Sequence, residues 1–411
     1  MALIALPDAQ QFVLDRCAVL PPVGRAPGEA LGCVIAQDCV ATEPMPPFAN
    51  TAMDGYAVRA VDVAGASPDT PVHLQVIDTV LAGAPSSRRV GAEQAVRIMT
   101  GAPMPVGADA VVMVERTNAV DEKTVEIFDA APVGQHVRGV GEDIDPGDVV
   151  VTKGLPMTPA RVGVLAEMGL ESVSVHPRPR VGVVSTGDEL VAGGGRLKPG
   201  QIRDSNRPAL LALARASGFE PVDLGLVADD ESAIADAIER GAAECDAMLT
   251  SGGVSMGDVD LVKVVLGKLA DMRWMQIAIR PAKPFAFGVV DRSGSSAGVP
   301  VFGLPGNPVS SLVSFELLAR PALRQMAGHA QLHRPQIQAV TDEALTRRPD
   351  GKTHFARVRC AYESDGRYHV RSAGGQGSHQ LAAMAAADGL AVLPDGVGAG
   401  VGERVDVMLL D

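Results

Sequence analysis

The residues best placed to do chemistry lie in one glycine-rich stretch. Residues 247–260 read Ala-Met-Leu-Thr-Ser-Gly-Gly-Val-Ser-Met-Gly-Asp-Val-Asp. The apolar run from Ala247 to Leu249 suits the end of a buried strand, and Gly252 with Gly253 favours a turn. From Leu261 onward, Val264, Val265 and Leu269 recur at helical spacing. Strand, small-residue loop and helix in succession is how an open parallel sheet presents a ligand at the carboxyl ends of its strands. Amides exposed in such a loop hold an oxyanion such as phosphate. Asp258 and Asp260 beside them would repel that anion unless a cation lay between, which points to a divalent metal, most simply Mg2+ shared with a phosphate. Asp258 reads as a helix N-cap. On the residues alone, Asp260 is equally a first-turn acid favoured by the helix dipole.

Cleaving a phosphoanhydride needs charge neutralisation more than a covalent nucleophile. Carboxylates on magnesium, with Arg or Lys on the phosphates, supply it. Asp260, Glu189, Arg280 and Lys283 are of the right types, and each falls near the end of an expected strand. Pro281 and Pro284 are expected to hold Arg280 and Lys283 extended.

The elements that must position these groups alternate. A buried strand at 181–185 ends in Thr186-Gly-Asp-Glu-Leu. Helices at 206–217 and 228–241 and strands at 219–227, 246–250, 274–279, 285–290 and 299–302 follow. Asn307 and Pro308 mark a helix start, as N-cap and first helical residue. This alternation means a doubly wound α/β domain, taken as an open parallel sheet. Before it, residues 71–130 show short alternating strands with a hairpin at 120–124 and no helical period, a small β domain without a large apolar core of its own. A helix begins at Thr158-Pro159. Beyond Arg334 the chain returns to strands, with a turn at Ser364-Asp-Gly-Arg, so the C-terminal domain is small and all-β. The expected division is a discontinuous linking domain (1–45 and 146–177), a small β domain (46–145), the α/β domain (178–328) and the C-terminal β domain (329–411).

Composition narrows the function classes. At 411 residues the chain needs several cores. A net charge of −13 argues against a nucleic-acid surface, and with 3% aromatics and Trp274 the only tryptophan, base-stacking platforms are not expected. Five cysteines without a CxxC pair fit neither structural zinc nor a disulfide framework, and suit a reducing cytoplasm. The opening Met-Ala-Leu-Ile-Ala-Leu has no basic flank, and no stretch has the length of a membrane helix. His329 and His333 form the only HxxxH pair and read as part of a solvated linker, not a metal site. The cysteines read as core residues.

Five stretches together carry a resemblance: Asn50-Thr-Ala-Met-Asp-Gly-Tyr-Ala, Arg97-Ile-Met-Thr-Gly-Ala, Ser185-Thr-Gly-Asp-Glu-Leu, Thr250-Ser-Gly-Gly-Val-Ser and Gly303-Leu-Pro-Gly-Asn-Pro-Val-Ser. The chain resembles, over nearly its whole length, the molybdopterin molybdenumtransferases of molybdenum cofactor synthesis, the family of bacterial MoeA and of the corresponding domain of gephyrin. The resemblance implies a multidomain α/β plus β fold, with a doubly wound molybdopterin-binding domain and a C-terminal β-barrel-like domain. It implies insertion of molybdenum from molybdate into adenylylated molybdopterin with release of AMP, dependent on Mg2+. It further implies a homodimer whose site is shared between subunits, and contact with a molybdopterin adenylyltransferase. Two other readings stay open: a related nucleotide- or pterin-cleaving enzyme built on the same α/β module, and a non-catalytic scaffold of the gephyrin type. Retention of the acidic set favours an enzyme.

Carried over residue by residue, the resemblance implies catalytic roles for Asp54, Thr100, Asp143, Glu189 and Asp260, and metal contact by Glu189, Asp260 and Asp229, with Asp230 as the alternative to Asp229. Substrate contacts fall to Arg138, Ser251, Gly252, Gly253, Ser255, Arg280, Lys283, Pro305, Gly306, Arg357 and Ser378. Gln276 stands where some relatives carry a basic residue.

Overall fold

The computed structural model describes residues 3–252, 261–292 and 298–410. Gly253, Ser255, Asp258 and Asp260 therefore lie outside the described residues. The chain forms two compact units, one of residues 1–36, 154–158 and 174–411, the other of residues 37–153 and 159–173.

In the larger unit a six-stranded sheet runs Glu220–Val227, Arg180–Thr186, Ala247–Ser251, Val299–Leu304, Pro284–Val290, Arg273–Gln276. The first four strands are parallel. Pro284–Val290 is antiparallel to its neighbours on both sides, so the sheet is mixed where the sequence suggested a parallel one. Phe285, Ala286 and Phe287 are all buried, and a strand covered on both faces carries no alternation that reveals its direction. Both faces are covered. Leu210, Ala214, Val309, Phe315 and Leu323 pack on one side with Val181, Val183 and Leu249. Ile234, Ile238, Val262 and Leu266 pack on the other with Val184 and Met248. The order places a topological switch point between Arg180–Thr186 and Ala247–Ser251, since their connections leave to opposite sides. The N-terminal helix Leu6–Leu14 joins this core through Ala9 and Val13, across some three hundred residues of sequence.

The C-terminal strands close into a five-stranded barrel. Thr353–Tyr362 pairs with Tyr368–Ser372, then Gln336–Thr341, Arg404–Leu409 and Gly389–Leu393 follow, and the last returns to Thr353–Tyr362. Val358, Val370, Ala391 and Val407 fill its interior.

In the smaller unit the sheet order is Ala110–Met113, Gly55–Val58, Gln94–Ile98, Val72–Val80, Thr124–Ile127, Thr117–Asp121. Its two faces carry separate cores: Tyr56, Val58, Leu74, Val112, Val125 and Ile127 in one, Ala57, Val96, Ile98 and Val111 in the other. The expectation that this domain lacks a core of its own is thus corrected. Its alternating strands are apolar on both sides at Ala57/Val58 and Val111/Val112, which a period-two reading of a half-buried sheet misses.

His329 also departs from expectation. It follows Gly328 (φ +79°), which ends the helix Arg320–Met326, and its amide donates to the Arg324 carbonyl at 3.0 Å. The imidazole is half-buried, and burial, aided by Arg324 and Arg320, pushes its pKa down to about 4. It is a neutral packed residue, whereas His333 is exposed. Because the folded-state pKa lies below the ordinary 6.5, His329 contributes stability that is present above pH 6.5 and lost as pH falls toward 4. With its partial exposure allowed for, roughly 2 kcal/mol is expected. Thermal melts from pH 7 to 4 should show a shallower loss for His329→Gln than for the parent, and equal slopes would contradict this.

Candidate functional site

The switch point of the larger unit opens into a cavity of about 450 Å³ lined by Thr186, Glu189, Arg203, Asn206, Ser251, Gly252, Pro305 and Gly306 among others. Its floor is backbone. Gly252 (φ +101°) donates its amide to Leu304 O at 3.1 Å, and a Cβ there would meet Thr186 O at 3.3 Å. A Cβ on Gly306 would lie 3.9 Å from the Gly252 Cα. Glycine is needed at Gly252, whose positive φ and tight approach to Thr186 disfavour a side chain, whereas at Gly306 a Cβ would make only an ordinary contact. Asn206, at the start of the helix Asn206–Ala216, pins these loops: its Nδ2 donates to Ser251 Oγ and to Gly306 O, both at 2.7 Å. Asn307 occupies the N-cap position before Pro308, but its side chain makes no capping hydrogen bond, so the fixed φ of Pro308 sets that helix start instead.

Among the described residues the carboxylates on the cavity wall are Glu189 and Asp204. Gly187 (φ +144°) lets Glu189 fold back, since a Cβ there would lie 2.6 Å from Glu189 Oε2. Glu189 is exposed and its carboxylate makes no hydrogen bond among the described residues. Asp188 and Asp229 clasp one another: the Asp188 amide donates to Asp229 Oδ2 at 3.3 Å and the Asp229 amide to Asp188 Oδ1 at 3.1 Å. Asp230 is committed elsewhere, capping the helix Glu231–Glu244 by accepting from the Ala233 amide. Of the two aspartates, Asp229 is therefore the one tied to the segment that carries Glu189, through Asp188. Asp204, also on the cavity wall, is consumed by Arg207 and Ser185. Among the described residues no three His, Cys, Asp or Glu side chains gather closely enough to hold a metal by themselves.

Arg280 and Arg357 belong to a second cleft of the same unit, about 520 Å³, on the barrel side, with Arg348, His354 and Gln376. Ile279–Arg280 pairs with Thr353–His354 of the barrel. The chain then reverses at Ala282 (φ +76°), where Ile277 N donates to Lys283 O at 2.7 Å, so Arg280 is extended in its strand but the run from Arg280 to Lys283 is not. Lys283 is exposed next to Pro284, which reaches the first cavity. Arg357 is 1% exposed, and its terminal nitrogen donates to Gly375 O and Gly377 O. Burial lowers its pKa. The Ser378 carbonyl accepts from Val309 N at 3.1 Å, joining the barrel-side loop to the helix that starts at Pro308. His354, held by Asp350 at 3.1 Å, has its pKa lowered by burial.

The smaller unit gathers its own set. Asp54 Oδ1 accepts from both the amide and the hydroxyl of Thr100 at 2.7 Å, and these bonds, the backbone one first, hold its carboxyl below the usual range. Thr100 is thus the partner of Asp54. Gly55 must be glycine, because a Cβ would lie 2.0 Å from Val112 O across the strand pair. Asn50–Thr51 pairs with Val137–Arg138, Asn50 also bridges to Pro103, and Met45 bridges to Ile144. Backbone pairing therefore brings the segments bearing Asp54, Thr100, Arg138 and Asp143 together within this unit. Thr186, Arg203 and Asn206 were not singled out in the sequence. The run Arg203-Asp-Ser-Asn at the entry to a helix was the available signal for the last two.

Three family models match successive stretches of the chain. Residues 4–169 match the MoeA N-terminal region (domain I and II), residues 182–325 the probable molybdopterin binding domain, and residues 338–410 the MoeA C-terminal region (domain IV). Molybdopterin molybdenumtransferase 2 of Mycobacterium tuberculosis is 40% identical over 398 residues, 95% of each chain. Molybdopterin molybdenumtransferase of Haemophilus influenzae is 37% identical over 356 residues, 87% of this chain and 85% of that one. A crystal structure of a molybdopterin biosynthesis MoeA protein from Pyrococcus horikoshii superposes with a TM-score of 0.79 at 31% identity, covering all of both chains. With its switch-point cavity, its C-terminal barrel and this likeness along its length, the chain belongs to the MoeA family of molybdenum cofactor biosynthesis enzymes, the molybdopterin molybdenumtransferases.

Proposed function

We propose that this chain inserts molybdenum from molybdate into adenylylated molybdopterin and releases AMP, in the cytoplasm, as a homodimer whose site is shared between subunits. The observation that carries the reading is the switch-point cavity, whose glycine-lined floor suits a phosphorylated pterin and whose mouth bears the free carboxylate of Glu189. Ser251, Gly252, Pro305 and Gly306 bind the substrate there. Arg280, Arg357, Lys283 and Ser378 bind anionic groups, molybdate among them. The groups on this wall able to ligate a cation beside Glu189 are oxygens, the Thr186 and Ser251 hydroxyls among them, while Arg203 and Asn206 offer N–H donors. A hard cation that keeps most of its waters and shares a phosphate fits such a set. Glu189 would hold Mg2+, together with Asp229 and with Asp260, which lies outside the described residues. Magnesium, when bound, supplies the charge neutralisation that phosphoanhydride cleavage demands. Asp54, kept ionised by Thr100, with Arg138 and Asp143, contributes the partner subunit's share. A molybdopterin adenylyltransferase would deliver the substrate.

Mixing two inactive variants tests the shared site. Asp54→Asn and Glu189→Gln place their defects in different units, so subunit exchange between them should recover AMP release well above either alone. Sites built within single chains would give no recovery.

A further inference from the structure

The switch-point cavity holds one cation that nothing so far has used. Among the described residues lining it, Arg203 is the only Lys or Arg. It ends the two-residue strand Ile202–Arg203, which pairs with Leu190–Val191 directly after Glu189. Ile202 N donates to Glu189 O at 2.8 Å, and Asp204 N to Val191 O at 3.1 Å, so the ribbon is fixed to the segment that carries the free carboxylate. One arm of the guanidinium is anchored, its Nη2 donating to the Gly195 carbonyl of the glycine-rich loop. The other terminal nitrogen, Nη1, is shielded from bulk water and has no acceptor among the described residues.

Arg203 makes no ion pair among the described residues, although Glu189 and Asp204 both line the cavity. Asp204, its neighbour in sequence, accepts from the Arg207 amide and Nε and from Ser185 Oγ. Arg207 itself is paired with Asp204 and Asp223. The cavity therefore contains an anchored guanidinium, outside any ion pair among the described residues and with a donor to spare, on a wall it shares with Gly252 and Gly306. A planar guanidinium of this kind is matched by a phosphate oxygen.

We propose that Arg203 is a substrate-binding residue of the α/β cavity and holds a phosphate group of the pterin substrate through Nη1. This rests on the reading that the substrate is a phosphorylated pterin. Arg203 supplies the positive charge of the α/β cavity, complementing the barrel-side arginines Arg280 and Arg357.

The test uses the full-length protein with Arg203→Met and Arg203→Lys, both checked for an unchanged melting temperature. Calorimetry with inorganic pyrophosphate is run without turnover, beside steady-state AMP release from adenylylated molybdopterin over a series of salt concentrations. For Arg203→Met, at least a tenfold weaker pyrophosphate dissociation constant and a tenfold higher KM are expected. Its kcat should change less than threefold and its KM should depend less steeply on salt. Arg203→Lys should fall between, and it decides the matter should Arg203→Met not fold. Unchanged pyrophosphate affinity in the variants would overturn the proposal. So would an unchanged KM with equal losses of kcat and melting temperature, because Arg203 would then only pin the Gly195 loop. If the parent protein binds pyrophosphate but releases no AMP, the functional reading fails, while the comparison of affinities still judges Arg203.

Discussion

Glu189→Gln is expected to slow AMP release by at least about a hundredfold, the scale seen when one electrostatic catalytic group is removed. The expectation comes from where the carboxylate sits. It lies at the carboxyl end of the strand Arg180–Thr186, folded back over Gly187, exposed, and without a hydrogen-bond partner among the described residues. A surface acid with no role would be replaced silently, since glutamine is isosteric and nothing in the fold depends on the charge. The melting temperature should therefore stay within about a degree, as for surface substitutions in general. Loss of turnover with an intact fold supports the assignment. Near-normal turnover with added magnesium contradicts it.

The largest effect on stability is expected at Glu316. Its side chain is 1% exposed and accepts from Arg334 through both oxygens, at 3.0 and 3.1 Å, with Arg320 Nε 3.7 Å away. It lies in the π-helical turn Phe315–Ala319 between two α-helical segments, surrounded by the apolar core. Burial lowers the Arg320 pKa to about 10, and Arg334 adds to that shift while Glu316 opposes it. Glu316→Ala would leave buried guanidinium charge without its counter-ion, which costs about 3–5 kcal/mol. Differential scanning calorimetry should show the transition of the larger unit lowered by several degrees, with Glu316→Gln milder because it keeps an acceptor. A variant that melts with the parent would show that Arg334 and Arg320 find other partners.

The α/β elements were largely legible because short, continuous apolar runs alternate with stretches of helical spacing at boundaries marked by Gly, Pro, Ser and Asn. The strands at 180–186, 220–227, 247–251 and 299–304 and the helices between them fall within a few residues of expectation. The turn at Ser364–Arg367 was also legible, since Gly366 takes φ +79°. What failed depends on long-range packing. The direction of Pro284–Val290 is invisible in a continuous apolar run. The docking of Leu6–Leu14, the double core of the smaller unit and the burial of His329 are each decided by residues distant in sequence. At the site, Glu189 and Ser251–Gly252 could be read locally from strand ends. The separation of Arg280 from the switch-point cavity could not, because it follows from pairing with Thr353–His354 some seventy residues later. Asn206 looked like an ordinary first helical residue, and only its bonds to Ser251 and Gly306 reveal that it ties two loops together.

In the proposed function, the cavity at the switch point serves molybdenum insertion coupled to AMP release. Incubating the purified protein with adenylylated molybdopterin and Mg2+, with and without molybdate, and quantifying AMP by chromatography tests it most directly. AMP should form at a rate set by molybdate, stop when magnesium is chelated and resume when it is restored. AMP release at the same rate without molybdate, or no release under any of these conditions, would contradict it.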